Sequence, residues 1–197
     1  MARAGEHTIG YRVWNQTRVS MYAKQSFQIY NELLNYSYTP ESRGPLERIR
    51  MAIYQYLLIQ LATVEPNSGV SLKALISEAQ KDGMISETDA AGLLDPFRRY
   101  ETVLKNVVVQ RSNISAHRSP KRSFAYIVHQ FPVPHDDLEA LVNLYYDTAC
   151  RLNSLVPFNR AWAAEDHAEP MKHILESLGC QRLPERISVH ADLVPKG

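Results

Sequence analysis

Apolar residues recur at helical spacing along most of this 197-residue chain, and no strand–turn–strand pattern interrupts them. The clearest stretches run from Trp14 to Tyr36 and from Leu46 to Thr63. A third begins at Asp95-Pro96, and a fourth follows Asp136-Asp137. Residues three and four positions apart share one face of a helix, so this pattern predicts an all-α helical bundle.

The second stretch is apolar on most of its sides, which predicts a central, buried helix. Pro45 is expected at its first position, where a missing N–H is tolerated. Ser71 and Ser86 are expected to cap two short helices inserted at about 64–95. In the third stretch Val107-Val108-Val109 suits a strand as well as a helix. The expected bundle therefore has four to five long helices with short inserted ones.

The chain is expected to form one helical domain over 1–156, followed by a tail over 157–197 with one short helix between Pro170 and Gly179. Only two cysteines occur, which excludes a disulfide scaffold and fits a reducing compartment. The polar N-terminus predicts no signal peptide. The most apolar run, Met51 to Val64, is too short to cross a bilayer. We therefore expect a cytoplasmic protein with no membrane partner.

Positive charge is concentrated between Arg98 and Arg122. This segment holds seven basic residues against one acid, Glu101, and so carries +6, whereas the whole chain carries only +1. The remainder therefore carries −5. A local basic patch on a mildly acidic protein is typical of a site for an anionic ligand, although a solvated helix face with a basic loop fits equally well.

Several standard sites are absent from the sequence. There is no GxxxxGK[ST] or GxGxxG phosphate loop and no GxSxG nucleophile motif. The histidine pairs His129 with His135 and His167 with His173 are six residues apart, not the four that places two ligands on one helix face. No metal site and no cofactor are therefore expected.

Arg111-Ser112-Asn113-Ile114-Ser115-Ala116-His117, at the end of the third helical stretch, is the remaining candidate site. Arginine is a permanently charged fork that binds phosphate oxygens, and histidine transfers protons near neutral pH. Together they suffice to cleave a phosphodiester without a metal if the fold brings them to one phosphate. The alternative is a structural pair that packs a helix terminus.

The Arg111-x5-His117 segment resembles the HEPN superfamily, whose members are helical bundles and include many metal-independent ribonucleases with arginine, four to six residues and then histidine. Ile114 to Ser119 is similar to the corresponding stretch of HEPN proteins from abortive-infection and toxin–antitoxin systems. The family often has Asn, Asp or His directly after the arginine, whereas this chain has Ser112 there and Asn113 one place later. Ser119 stands where some family toxins carry a tyrosine that a partner enzyme modifies.

The resemblance implies a metal-independent endoribonuclease that cleaves RNA by 2′-hydroxyl transesterification, in a toxin–antitoxin or phage-defence role. It implies catalytic roles for Arg111 and His117, and for Ser112 or Asn113 an orienting role. The residues expected to bind RNA phosphates are Arg98, Arg99, Arg118, Lys121 and Arg122. The implied partners are RNA, a second copy in a homodimer with a composite active site, and an antitoxin protein. Two alternatives are an inactive HEPN-like module that binds RNA or nucleotide, and a helical dimerisation or adaptor protein.

Overall fold

A computed structural model describes residues 8–65, 71–116, 124–156 and 168–183. These ranges form eight α-helices and one pair of two-residue strands, which confirms the all-α fold. In chain order the elements are α1 Ile9–Leu34, β1 Tyr36–Ser37, α2 Pro40–Leu61, α3 Leu72–Lys81, α4 Glu87–Leu94, α5 Glu101–Ala116, α6 Phe124–Gln130, α7 His135–Leu155, α8 Ala168–Ser177 and β2 Gln181–Arg182. Short 3-10 turns at Ala62–Val64 and Asp95–Tyr100 follow α2 and precede α5.

The four long helices α1, α2, α5 and α7 build the bundle. α1 packs against both α2 and α7, and α5 packs against α2. Their inward-facing side chains form one continuous apolar core, to which α3 and α4 also contribute Leu75, Ile76 and Leu93. The inserted helices thus share the main core. No helix in the described part of the chain is long and apolar enough to span a membrane.

Side-chain caps fix where several helices begin. The Thr8 hydroxyl accepts a hydrogen bond from the Tyr11 amide at the start of α1 (3.3 Å). The predicted caps Ser71 and Ser86 are confirmed, since each accepts from the amide three residues later. Ser86 Oγ also donates to the Asp89 carboxylate (2.7 Å), which places negative charge in the first turn of α4.

The predicted start of α2 at Pro45 is wrong. The helix begins five residues earlier, at Pro40, because the Thr39 hydroxyl accepts from the Ser42 amide (3.2 Å) and caps it. Pro40 takes the first helical position, where its missing N–H costs nothing, and Pro45 lies inside the helix. Both prolines are preceded by residues typical of turns, so the capping hydroxyl of Thr39 determines at which proline the helix begins.

The predicted burial of α2 on most sides is also wrong. Tyr54, Leu57 and Leu58 face the core, whereas Ile49 and Tyr56 are 46% and 51% exposed. Apolar side chains surround the helix, but α1 and α5 cover only part of its circumference. α2 is therefore a surface helix with one apolar face left open.

The short helix α8 is held to the end of α1 by a second apolar cluster and by the strand pair. Leu175 and Cys180 pack with Leu33 and Leu46 in that cluster. β1 and β2 pair antiparallel, with Tyr36 opposite Arg182. The helix expected between Pro170 and Gly179 is confirmed, and the strand pair is an addition that the sequence did not signal.

Several buried tyrosines should make the stability of the fold decrease at alkaline pH. Burial raises the pKa of Tyr30 from 10.0 to about 12 and also raises the pKa of Tyr54 and Tyr145. An unfolded tyrosine ionises near pH 10, so the stability linked to Tyr30 is complete below pH 10 and is lost as the pH rises through about 12. We expect these tyrosines to ionise together with the loss of helical circular dichroism, followed by near-ultraviolet absorbance. Full ionisation near pH 10 with the helices intact would contradict this prediction.

Candidate functional site

The segment singled out in the sequence lies at the far end of α5. Val103, Leu104 and Val107 keep helical spacing and are buried, so the valine run is helical rather than extended. Arg111 and Ser112, in the next turn, are exposed. The helix predicted to lead up to His117 is thus confirmed as far as Ala116.

Gln110 fixes this end of α5 to the rest of the bundle. It is fully buried, its Oε1 accepts a hydrogen bond from the Tyr54 hydroxyl of α2 (3.0 Å), and its Nε2 donates to the Phe131 carbonyl oxygen (2.6 Å). A buried amide that is bonded at both ends has little freedom to move. Arg111, the next residue, is therefore carried on a well-anchored turn.

Arg111 and Asn113 project to different sides of α5. They are two positions apart, which is about 200° around a helix. The Asn113 amide donates to the Val109 carbonyl oxygen of its own helix (2.7 Å). Ser112 lies between the two directions and is exposed. The structure therefore separates Asn113 from Arg111, and Ser112 is the nearer polar neighbour.

A shallow, wide-open depression of about 470 Å³, which we call the α2 groove, lies along the surface of α2. Its lining residues are Gly44, Glu47, Arg48, Met51, Ala52 and Gln55. Gly44 and Ala52 contribute little or no side chain, and the space between the longer side chains remains open. Arg48 and Glu47 give this groove one charge of each sign, and Met51 gives it an apolar wall.

Arg111 projects to the side of the bundle on which this groove opens. α5 runs antiparallel to α2. Gln110 bonds to Tyr54, and the 3-10 turn Ala62–Val64, which follows Tyr54 by at least eight residues, still contacts α5. A parallel α5 would end at Ala116, before reaching that turn. Gln55 follows Tyr54 and Arg111 follows Gln110. Around its own helix axis, each therefore points about 100° away from the bonded residue before it. Because the two helices face each other and run in opposite directions, Gln55 and Arg111 point to the same side of the helix pair.

Arg98 and Arg99 lie far from Arg111 in the structure. They precede α5, and Arg99 is twelve residues before Arg111, a rise of about 18 Å in an α-helix. Arg98 forms an exposed ion pair with Asp95 (3.1 Å), and the Arg99 guanidinium lies over the Tyr100 ring at 4.5 Å from its centroid. The basic residues described in the +6 segment are thus spread along the helix.

The other predicted site residues lie outside the described residues. His117, Arg118, Lys121 and Arg122 fall in the segment 117–123, which directly follows Ala116. Among the described residues, no group of three or more His, Cys, Asp or Glu side chains could hold a metal ion.

Two parts of the site escaped the sequence analysis. Gln110 carried a weak signal, because it is a polar residue on the helix face that also holds Val103 and Val107, which are buried. The groove on α2 carried another in Gly44 and Ala52, small residues on the face that Arg48 and Gln55 share. Both features depend on contacts between distant parts of the chain.

Comparisons with protein-family models, with curated proteins and with solved structures found no match.

Proposed function

We propose that this protein is a metal-independent endoribonuclease of the HEPN type, acting in the cytoplasm in toxin–antitoxin or phage-defence systems. The observation that carries the proposal is the placement of Arg111. It is exposed and follows directly on the buried anchor Gln110, and helix geometry turns it to the side on which the α2 groove opens. His117 follows six residues later, at the spacing that resembles the family motif.

The proposed reaction is an internal transesterification of RNA. The ribose 2′-oxygen attacks the adjacent phosphorus and loses its proton, while the bond from phosphorus to the 5′-oxygen breaks and that oxygen gains a proton. The products are a 2′,3′-cyclic phosphate and a 5′-hydroxyl. His117 transfers a proton, and Arg111 binds the non-bridging oxygens as negative charge develops on them.

Neighbouring residues have supporting roles. Ser112, which is exposed beside Arg111, orients the phosphate or the imidazole in this proposal, whereas the Asn113 amide is bonded to the Val109 carbonyl oxygen. Arg118, Lys121 and Arg122 bind flanking phosphates, which positions RNA without reading its sequence. With an offset of about 18 Å from Arg111, Arg98 and Arg99 contact RNA far from the scissile bond.

The reaction requires both an acid and a base, and each chain supplies one Arg111–His117 set. We propose that two copies form a homodimer with a composite active site, in which one His117 accepts a proton and the other donates one. An antitoxin protein would act by covering the basic segment that holds Arg111, Arg118, Lys121 and Arg122.

RNA cleavage in the presence of EDTA tests the proposal. We expect cleavage in chelator with products that end in a 2′,3′-cyclic phosphate. A substrate with 2′-deoxyribose at every position has no attacking hydroxyl and should remain intact. Cleavage abolished by EDTA, or cleavage of the all-deoxy strand, would contradict this mechanism. Salt-sensitive RNA binding without cleavage would indicate the binding module instead.

A further inference from the structure

The α2 groove has walls of different chemistry. Glu47 and Arg48, both exposed, are consecutive in the helix and therefore project about 100° apart. Met51 projects between these two directions and is half-buried, so that it forms an apolar floor. The groove thus offers a cation on one wall, a carboxylate on the other and an apolar surface between them.

The shape of the groove suits a chain that lies along it. A shallow, wide-open depression does not enclose a small molecule as a binding cavity does. Its lining residues extend from Gly44 to Gln55, a rise of about 16 Å along α2. That length corresponds to about five stacked nucleotides, at about 3.4 Å each. The groove therefore has room for a short segment of a single strand.

The position of Arg48 relates the groove to Arg111. Because α5 and α2 run in opposite directions, moving from the bonded pair Gln110–Tyr54 towards the end of α5 also means moving towards the start of α2. Arg48 lies about 9 Å from the level of this pair and Arg111 about 1.5 Å from it, in the same direction. With helix axes about 8–10 Å apart, the two α-carbons are separated by about 12 Å. About three to four stacked nucleotides span that distance.

The mixed charge of the walls favours a nucleic acid strand over an acidic peptide. A peptide that carries carboxylates along its length would be attracted by Arg48 but repelled by Glu47. A nucleic acid strand alternates phosphates, which an arginine binds, with bases whose amino groups donate hydrogen bonds to a carboxylate. Its bases also pack on uncharged surfaces such as the one that Met51 provides, as in other single-strand grooves.

We infer that the α2 groove is the subsite that binds the single RNA strand beyond the scissile phosphate. Arg48 binds a phosphate, Met51 packs under a base, and Glu47 accepts a hydrogen bond from a base amino group. The inference rests on the proposed function, since it takes Arg111 as the position of the scissile phosphate. In the proposed homodimer each groove opens on the side of its own Arg111, so both grooves border the shared site.

The test changes the charge of the groove and measures strand binding. Ala52 lines the groove and is exposed, and Lys and Glu are both good helix formers, so Ala52→Lys and Ala52→Glu should retain the fold. The probe is a labelled 2′-O-methyl RNA of about 12 nucleotides, which has no free 2′-hydroxyl and is not cleaved. By fluorescence anisotropy, Ala52→Lys should lower Kd about threefold and Ala52→Glu should raise it at least about threefold. Arg48→Gln should raise Kd about tenfold and lower the slope of log Kd against log salt by about 0.7, the value for one phosphate contact on a single strand.

The matched controls are Ala91→Lys and Ala91→Glu. Ala91 is an exposed alanine of α4, and α4 packs on α3 and on the turn that precedes α5, far from Arg111. The changes in net charge and in residue type are the same as at Ala52. At physiological salt the screening length is about 8 Å, so these variants should change Kd by less than about twofold. If they changed Kd as much as the Ala52 variants do, binding would follow net charge and the groove assignment would be wrong.

Cleavage of the unmodified RNA in EDTA, assayed beside binding, separates the two possible failures. A wild type that cleaves, with Arg48→Gln and both Ala52 variants unchanged in Kd, would overturn the groove assignment and leave the proposed function standing. Binding that responds to these variants as expected, without any cleavage, would overturn the ribonuclease and support the groove as an RNA-binding surface. A wild type that does not bind the strand would overturn the inference.

Discussion

Arg111→Ala and His117→Ala should each lower the rate of RNA cleavage by about 10²–10⁴-fold in chelator, while helical circular dichroism stays unchanged. Arg111 is exposed, so its removal leaves the core intact. In the proposed mechanism, its loss removes a forked cation from the phosphate oxygens as negative charge develops on them. Arg111→Lys keeps the charge but not the fork, and its rate should fall between those of the wild type and Arg111→Ala. Single-turnover cleavage of a short labelled RNA measures the chemical step.

Asn113→Ala is the matched control for these variants. Asn113 lies on the same exposed helix end, but its amide is bonded to the Val109 carbonyl oxygen and its direction differs from that of Arg111 by about 200°. We expect Asn113→Ala to retain cleavage within about threefold, and Ser112→Ala to lower it further than Asn113→Ala does. If Arg111→Ala cleaved as fast as Asn113→Ala, the site assignment would be wrong.

Helix positions could be predicted because the apolar spacing that specifies a helix is local. Ser71 and Ser86 cap where the sequence places them, since a capping hydroxyl bonds to an amide only three residues away. Burial around α2 could not be predicted in this way. Leu57 and Ile59 are equally apolar, yet one is fully buried and the other is 40% exposed. Which of them is covered depends on where distant helices pack.

In the candidate site, too, the local features could be predicted from the sequence and the contacts with distant helices could not. The helical run up to His117 and the exposure of Arg111 follow from the local pattern. The anchoring of Gln110 joins it to Tyr54, 56 positions earlier in the chain, and no sequence spacing signals that contact. The same holds for the side on which Arg111 projects, because it is fixed by the antiparallel packing of α5 on α2. The direction of Arg111 therefore depends on a tertiary contact next to the motif.

That dependence predicts a large effect of Gln110→Ala on stability. The substitution removes two hydrogen bonds, from the Tyr54 hydroxyl and to the Phe131 carbonyl oxygen, and leaves a cavity at a fully buried position. Together these losses should lower the free energy of unfolding by about 2–4 kcal/mol, measured by urea denaturation. Because Arg111 is the next residue, cleavage should also fall in the fraction that remains folded.

Asn106→Ala separates this effect from a general weakening of α5. Asn106 lies one turn earlier and donates to the Pro132 carbonyl oxygen (2.8 Å), but it does so near the surface, so its loss should cost less than about 1 kcal/mol. Pairing Gln110→Leu with Tyr54→Phe removes both the amide and the hydroxyl and fills the site, so that only the Phe131 carbonyl oxygen loses its partner. The pair should recover part of the stability lost in Gln110→Ala. If Gln110→Ala were no less stable than Asn106→Ala, the anchor would not hold α5 on α2, and the direction of Arg111 would need another cause.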